Sequence, residues 1–184
     1  MSEVEIVAAD PVSADVVPLL VEHLSEMYAT SPPESVHALD AEQLRHPSIS
    51  FFVARQGGAV IGTGAIRELN SAEGELKSMR TAAVARGHGV GARMLEHLLA
   101  VARSRGYRAV RLETGAEDYF EPARRLYARS GFVPGEPFAH YRPDPNSVFL
   151  HLELGESPLG RGASGPALAS DAAAPDTTAS DAPN

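Results

Sequence analysis

The 184-residue chain contains no cysteine. No disulfide framework can staple it, and no thiol can act as a nucleophile or carry an acyl group. It also lacks any apolar run approaching the ~20 residues of a membrane span. Its first residues, Met1-Ser2-Glu3, lack the basic start and apolar stretch of a secretory signal, so a cytoplasmic location and no membrane partner are expected. Positive charge is in deficit: the formal net charge is −8. Nucleic acid is therefore not expected as a partner, because its binding rests on neutralising phosphates. Seven histidines occur without His-x-x-x-His or Cys/His spacing, so no metal site is expected.

Large side chains are missing from one end. Gly155 to Asn184 is mostly Ala, Gly, Ser, Pro and Asp, with two leucines and no aromatic or β-branched apolar residue. Such a segment cannot bury enough apolar surface to offset the entropy of ordering. The expectation is one folded domain over residues 1–154 and a disordered tail over 155–184, the length suiting a single core.

Within 1–154, apolar periodicity sets the elements. Val4, Ile6 and Ala8 alternate as a first strand. Val16, Leu19, Leu20 and Leu24 recur at helical spacing to about Tyr28, and Pro32-Pro33 breaks that helix. A short second helix is expected over Asp40 to Arg45. Ile49 to Ala54 and Ala59 to Ile66 flank Gly57-Gly58 as a hairpin. Gly62 and Gly64 in the second of these strands point to a close approach of another element. A fourth extended segment covers Glu75 to Val84. A helix follows from Val90 to Ser104, with Met94, Leu95, Leu98, Val101 and Ala102 inward and Arg93, Glu96, His97 and Arg103 outward. Then come a strand over Ala109 to Glu113, a helix from Pro122 to Ser130, an extended stretch from Phe132, and a last strand over Val148 to Leu154. The order is β-α-α-β-β-β-α-β-α-β-β.

The most informative feature is Arg86-Gly87-His88-Gly89-Val90-Gly91, placed where the fourth extended segment gives way to the longest amphipathic helix. Glycines keep side chains away from a ligand, and a helix start offers unpaired N–H groups and the positive end of its dipole. The loop reads as a pyrophosphate cradle. Gly87-x-Gly89-x-x-Ala92 also fits a dinucleotide fingerprint, with Glu113 at the end of the next strand. That fingerprint belongs after the first strand of a parallel sheet, and here the loop follows a hairpin. Forty residues on lies Leu126-Tyr127-x-x-x-Gly131-Phe132. Ala123, Leu126, Tyr127 and Ser130 follow i, i+3, i+4, i+7 spacing, which turns the Tyr127 ring inward.

Taken with the element order, these two motifs resemble the GNAT superfamily of acyl-coenzyme A–dependent N-acetyltransferases. Arg86, Gly89 and Gly91 fill the family's Gln/Arg-x-x-Gly-x-Gly/Ala loop, and Leu126-Tyr127-x-x-x-Gly131-Phe132 resembles its Leu-Tyr-x-x-x-Gly-Phe helix signature. The stretches 31–40, 75–81, 113–115 and 143–147 look like a small bacterial subgroup. Ala83 departs from the proline that many members carry.

The resemblance implies an α/β (α+β) fold: a mixed, mostly antiparallel central sheet flanked by helices. It implies acetyl-CoA as cofactor, with the phosphates on the backbone of Arg86, Gly87, His88, Gly89, Val90, Gly91 and Ala92. The pantetheine arm and acetyl oxygen would lie along Met79, Arg80 and Thr81 and against Ala123 and Tyr127. Tyr127 would protonate the leaving thiolate. Glu75 is the candidate base for the amine, sharing a strand face with Lys77, Met79 and Thr81; its other reading is an exposed strand-end glutamate paired with Lys77. Glu113 is a weaker candidate, and a water chain remains open.

The acceptor pocket is expected between residues 31–40 and 141–146. Lys77 and Arg80 would clamp a carboxylate, while Glu34, His37 and Asp40 would favour an ammonium; Asp40 also suits a helix cap. Tyr141 and Asn146 would complete the wall. The expected reaction is direct attack, in a ternary complex, by a primary amine of a small, amino-acid-like metabolite. Protein or peptide amines, or a non-catalytic acyl-CoA-binding module, are the alternatives. A monomer or a homodimer would serve.

Overall fold

Alternating and continuous apolar runs lay down seven strands, and three stretches of helical periodicity cover the two faces of the sheet they make. The computed structural model describes residues 3–155; the expected tail beyond Gly155 lies outside the described residues. The elements are β1 (Glu5–Ala8), α1 (Val17–Thr30), β2 (Ile49–Gln56), β3 (Ala59–Asn70), β4 (Glu73–Thr81), α2 (Val90–Ser104), β5 (Ala109–Gly115), α3 (Glu121–Arg129), β6 (Val133–Pro134) and β7 (Ser147–Glu153). The sheet order is β1-β2-β3-β4-β5-β7-β6. The β4–β5 pair is parallel and every other pair antiparallel, as expected of a mixed, mostly antiparallel sheet.

Two of the expected element boundaries need correcting. The second helix is a single 3₁₀ turn, Gln43–Arg45. Asp40 and Gln43 bond reciprocally, Gln43 N–H to Asp40 Oδ1 at 2.8 Å and Asp40 N–H to Gln43 Oε1 at 2.9 Å, so Asp40 caps the turn. The fourth extended segment stops at Thr81, and Ala83–Ala85 is a 3₁₀ turn that aims the chain into the glycine loop.

Helix α2 packs one face on β3 and β4 through Met94, Leu95, Leu98 and Ala102. His97, expected to face outward, instead lies edge-on to Phe52 at 4.6 Å between ring centroids. On the opposite face Val16 and Leu20 at the start of α1 join Leu44, Phe51, Val53 and Ala65 in a second core.

Close approach at the β3 glycines is confirmed. A Cβ at Gly64 would lie 2.7 Å from Met94 Cγ, 3.0 Å from Leu98 Cδ1 and 3.0 Å from Met79 Sδ. Gly64→Ala is expected to destabilise the fold by about 1–3 kcal/mol through overpacking. Urea unfolding would show it as a lower midpoint at unchanged slope.

Two irregularities in β4 shape the site. Lys77 pairs with Ala65 but Arg80 with Thr63, so β4 carries one extra residue between them. Ser78 adopts φ +52°, and Thr63 Oγ1 donates to Ser78 O at 2.8 Å and pins the bulge. The inserted residue reverses the facing pattern beyond it. Glu75, Lys77 and Arg80 turn toward the α1 side, while Met79 and Thr81 turn toward α2. The single face expected for Glu75, Lys77, Met79 and Thr81 is therefore broken. Second, β4 pairs with β5 only over Glu73–Leu76 and Ala109–Leu112. Beyond these the strands part, and Lys77 and Glu113 are the first residues on either side of the gap.

Candidate active site

A cavity of about 580 Å³ opens where β4 and β5 diverge. It runs from the glycine loop, along β4 and the start of α3, to α1 and residues 35–38.

The loop forms its outer end. Gly87 and Gly89 have φ +79° and +78°, and a Cβ at either would meet nothing within 4 Å. The concavity is open to a ligand and favours residues without side chains. Arg93 N–H bonds Gly89 O at 3.1 Å, but the amides of Gly87, Gly89, Val90, Gly91 and Ala92 have no backbone partner among the described residues. These unpaired donors line the cavity at the positive end of α2. Arg86 borders the same end, half exposed, with Nη2 3.6 Å from Glu26 Oε2. His88 is exposed and lies off the cavity wall.

Tyr127 and Glu113 face the middle of the cavity. Tyr127 is 6% exposed; its ring packs on Phe132 at 5.7 Å, and its hydroxyl has no hydrogen-bond partner among the described residues. Burial, reinforced by the charge of Glu113, pushes its pKa up, so the phenol holds its proton. Glu113 accepts from Ser147 Oγ at 2.7 Å. Burial is the main cause that raises its pKa above the usual carboxylate range.

Glu75, the base expected from the sequence, is not on the wall. Its side chain is completely buried, which also removes the exposed-glutamate alternative. Tyr141 donates to Glu75 Oε1 at 2.5 Å, and Lys77 Nζ and Arg67 Nη1 lie 3.3 and 3.8 Å from its two oxygens. Lys77 does reach the cavity, and it also donates to Tyr141 Oη at 2.8 Å and to His37 O at 3.0 Å. Glu75 is the internal anion that holds this cluster.

Several acceptor-side expectations change as well. The Arg80 guanidinium does not stand free as a clamp. It binds Glu22 and Glu26 of α1 and donates to the Tyr119 hydroxyl at 3.0 Å. Glu34 is exposed and away from the cavity. Tyr141 lies behind the wall, under Lys77. Asn146 acts as a brace, its Nδ2 lying 3.3 Å from Ser35 Oγ. His37 and Lys77 stay on the wall, as do Met79, Thr81 and Ala123.

The sequence reading missed His23. It lines the cavity at 9% exposure, and burial, with the charge of Arg80, lowers its pKa to about 4, so it is neutral at pH 7. The signal was present: Val16, Leu19, Leu20 and position 23 follow i, i+3, i+4, i+7, whereas Leu24 stands one step off the stripe.

A sequence profile described as "Acetyltransferase (GNAT) family" matches residues 17–132. The chain belongs to the GNAT family. Among its relatives is "Uncharacterized N-acetyltransferase YsnE" of Bacillus subtilis (strain 168), 48% identical over 145 residues, covering 79% of this chain and 96% of that protein. The "IAA acetyltransferase" of Azospirillum brasilense is 39% identical over 158 residues, covering 84% and 100%. A solved structure from Klebsiella pneumoniae subsp. pneumoniae MGH 78578, named for acyl-CoA N-acyltransferase activity, superposes with a TM-score of 0.71 at 30% identity. It covers 82% of this chain and 97% of that one. This GNAT protein is accordingly an acyltransferase. No helix among its described residues is long and apolar enough to cross a membrane.

Proposed function

We propose that this GNAT enzyme moves an acetyl group from acetyl-CoA to the primary amine of a small metabolite by direct attack in a ternary complex. The observation that carries the reading is the set of unpaired amides of Gly87, Gly89, Val90, Gly91 and Ala92 at the mouth of a cavity whose middle holds Tyr127 and Glu113. The site fits the cofactor. The open glycine concavity suits a pyrophosphate. The parted edges of β4 and β5 leave the backbone of Met79 to Thr81 free on one side for an amide-rich arm and a carbonyl oxygen. Bound acetyl-CoA supplies an activated acetyl group and a thiolate leaving group.

The chain's own residues do the rest. The amine must be neutral to attack, and a lysine-like amine with pKa ~10.4 is mostly protonated at pH 7. We assign its deprotonation to Glu113 rather than Glu75, because Glu113 alone of the two lines the cavity, and its raised pKa makes it a stronger base than an ordinary carboxylate. Tyr127 would supply a proton to the departing sulfur as the C–S bond gives way to the new C–N bond, and the second proton that the nitrogen loses on becoming an amide would restore the phenol through water. With no cysteine, an acyl-cysteine path is closed.

Gly89→Glu tests the cradle. The side chain would fill the concavity with a negative charge at φ +78°. Calorimetry is expected to show acetyl-CoA affinity reduced at least ~10-fold, the ~1.4 kcal/mol that one such misplaced charge can cost. Unchanged affinity in a folded variant would refute the phosphate assignment.

A further inference from the structure

The wall of the cavity is charged against the grain of the chain. The protein carries −8 overall, yet among the described residues its cavity is lined by Lys77, Arg80, Arg86 and Arg129 and by one acid, Glu113. Arg86 stands at the glycine loop and Arg129 on α3. Arg80 is balanced by Glu22 and Glu26. Lys77 remains, deep in the gap and 8% exposed.

Its counterion is shared. Glu75 lies 3.3 Å from Lys77 Nζ and 3.8 Å from Arg67 Nη1, so one carboxylate serves two cations. Tyr141, the remaining group on Glu75, stays a neutral phenol, because burial and the Glu75 charge push its pKa up. The cluster is left with one positive charge in excess. The Lys77 charge reaches both neighbouring histidines: burial is the chief cause that lowers their pKa, Lys77 adds to it at His37 against Asp144 and Glu75, and at His23 Arg80 and then Lys77 add to it against Glu26. The ammonium itself donates to His37 O at 3.0 Å and to Tyr141 Oη at 2.8 Å. Across the gap stands Glu113, the first residue of β5 beyond its pairing with β4. The acceptor end thus has a positive wall on β4 and a negative one on β5.

Resting on the transferase reading above, we infer that the acceptor is an amine that also carries a carboxylate, with its nitrogen at Glu113 and its carboxylate in the field of Lys77. Such an acceptor supplies the anion that the Arg67–Glu75–Lys77 cluster lacks. A diamine would place a second cation against Lys77, where like charges in a partly desolvated pocket repel.

The test compares matched pairs of primary amines, each an amino acid and its methyl ester, in thiol release from acetyl-CoA by the full chain. Wild-type kcat/KM is expected to favour the free acid by at least ~10-fold, the step that 1.4 kcal/mol of charge interaction gives. Lys77→Met should bring the acid-to-ester ratio toward one, chiefly by raising KM for the acid, and Lys77→Arg should preserve it. A purely structural role for Lys77 would lower both members of a pair and leave the ratio intact. Ester turned over as well as acid by the wild-type enzyme overturns the inference while leaving the transferase reading standing, and this arm needs no variant to fold. A ratio unchanged in Lys77→Met also overturns it. No thiol release with any amine, although acetyl-CoA binds, removes the transferase reading and this inference together.

Discussion

Tyr127→Phe is expected to lower kcat at least ~10²-fold while KM for both substrates stays within about twofold. The change removes one oxygen and keeps the ring, so the packing against Phe132 survives and the cavity keeps its shape. What disappears is a proton held at the wall of a desolvated site. The Tyr127 hydroxyl makes no structural hydrogen bond among the described residues, so its loss should cost the fold little. Burial and the nearby Glu113 charge make this phenol hold its proton up to the chemical step, where the general-acid role would pass it to the departing sulfur. The general-acid role predicts a kcat effect; a packing role predicts a stability effect. Steady-state kinetics and thermal unfolding on the same preparation separate them, and an undiminished kcat would retire the assignment.

Glu113→Gln is expected to lower kcat/KM at pH 7 by ~10²-fold or more and to change the pH profile. The sign follows from the direction of the shift. Burial raises the Glu113 pKa above the ~4.3 of a free glutamate. Below the raised value the carboxyl is protonated and cannot accept a proton from the amine; above it the carboxylate can. The wild-type rate should therefore fall as pH falls through that value, and this acidic limb should vanish in the variant. The residual rate of Glu113→Gln should climb with pH as more amine becomes neutral without help. The amide can still accept from Ser147 Oγ, so the link between β5 and β7 is preserved. An inflection retained in Glu113→Gln at the same pH as in the wild type would move the base elsewhere. Glu75, completely buried under Lys77 and Tyr141, is a poor alternative.

Much of this site could be read along the chain because its parts are contiguous. Helix α2 begins and ends at the residues its apolar stripe indicated, and the glycine loop before it has the open, positive-φ backbone that only such a sequence adopts readily. Tyr127 faces inward because it sits on the stripe of α3. The errors cluster on β4. Period-two reasoning assumes an unbroken strand, and the bulge at Ser78 adds one residue and reverses every facing after it. Nothing in Glu73–Thr81 announces the bulge, because it is fixed from the neighbouring strand by Thr63.

Local sequence thus determined what local physics controls: the elements, the open glycine turn, the inward tyrosine and the absence of a thiol route. Only the assembled sheet decided which carboxylate meets the cavity. That choice depends on where β4 parts from β5 and on which distant side chains, Arg67, Tyr141, Glu22 and Glu26, reach the charges first. Burial and ion pairing are properties of neighbours in space, separated here by tens of residues along the chain. Residue type and spacing carry no record of them.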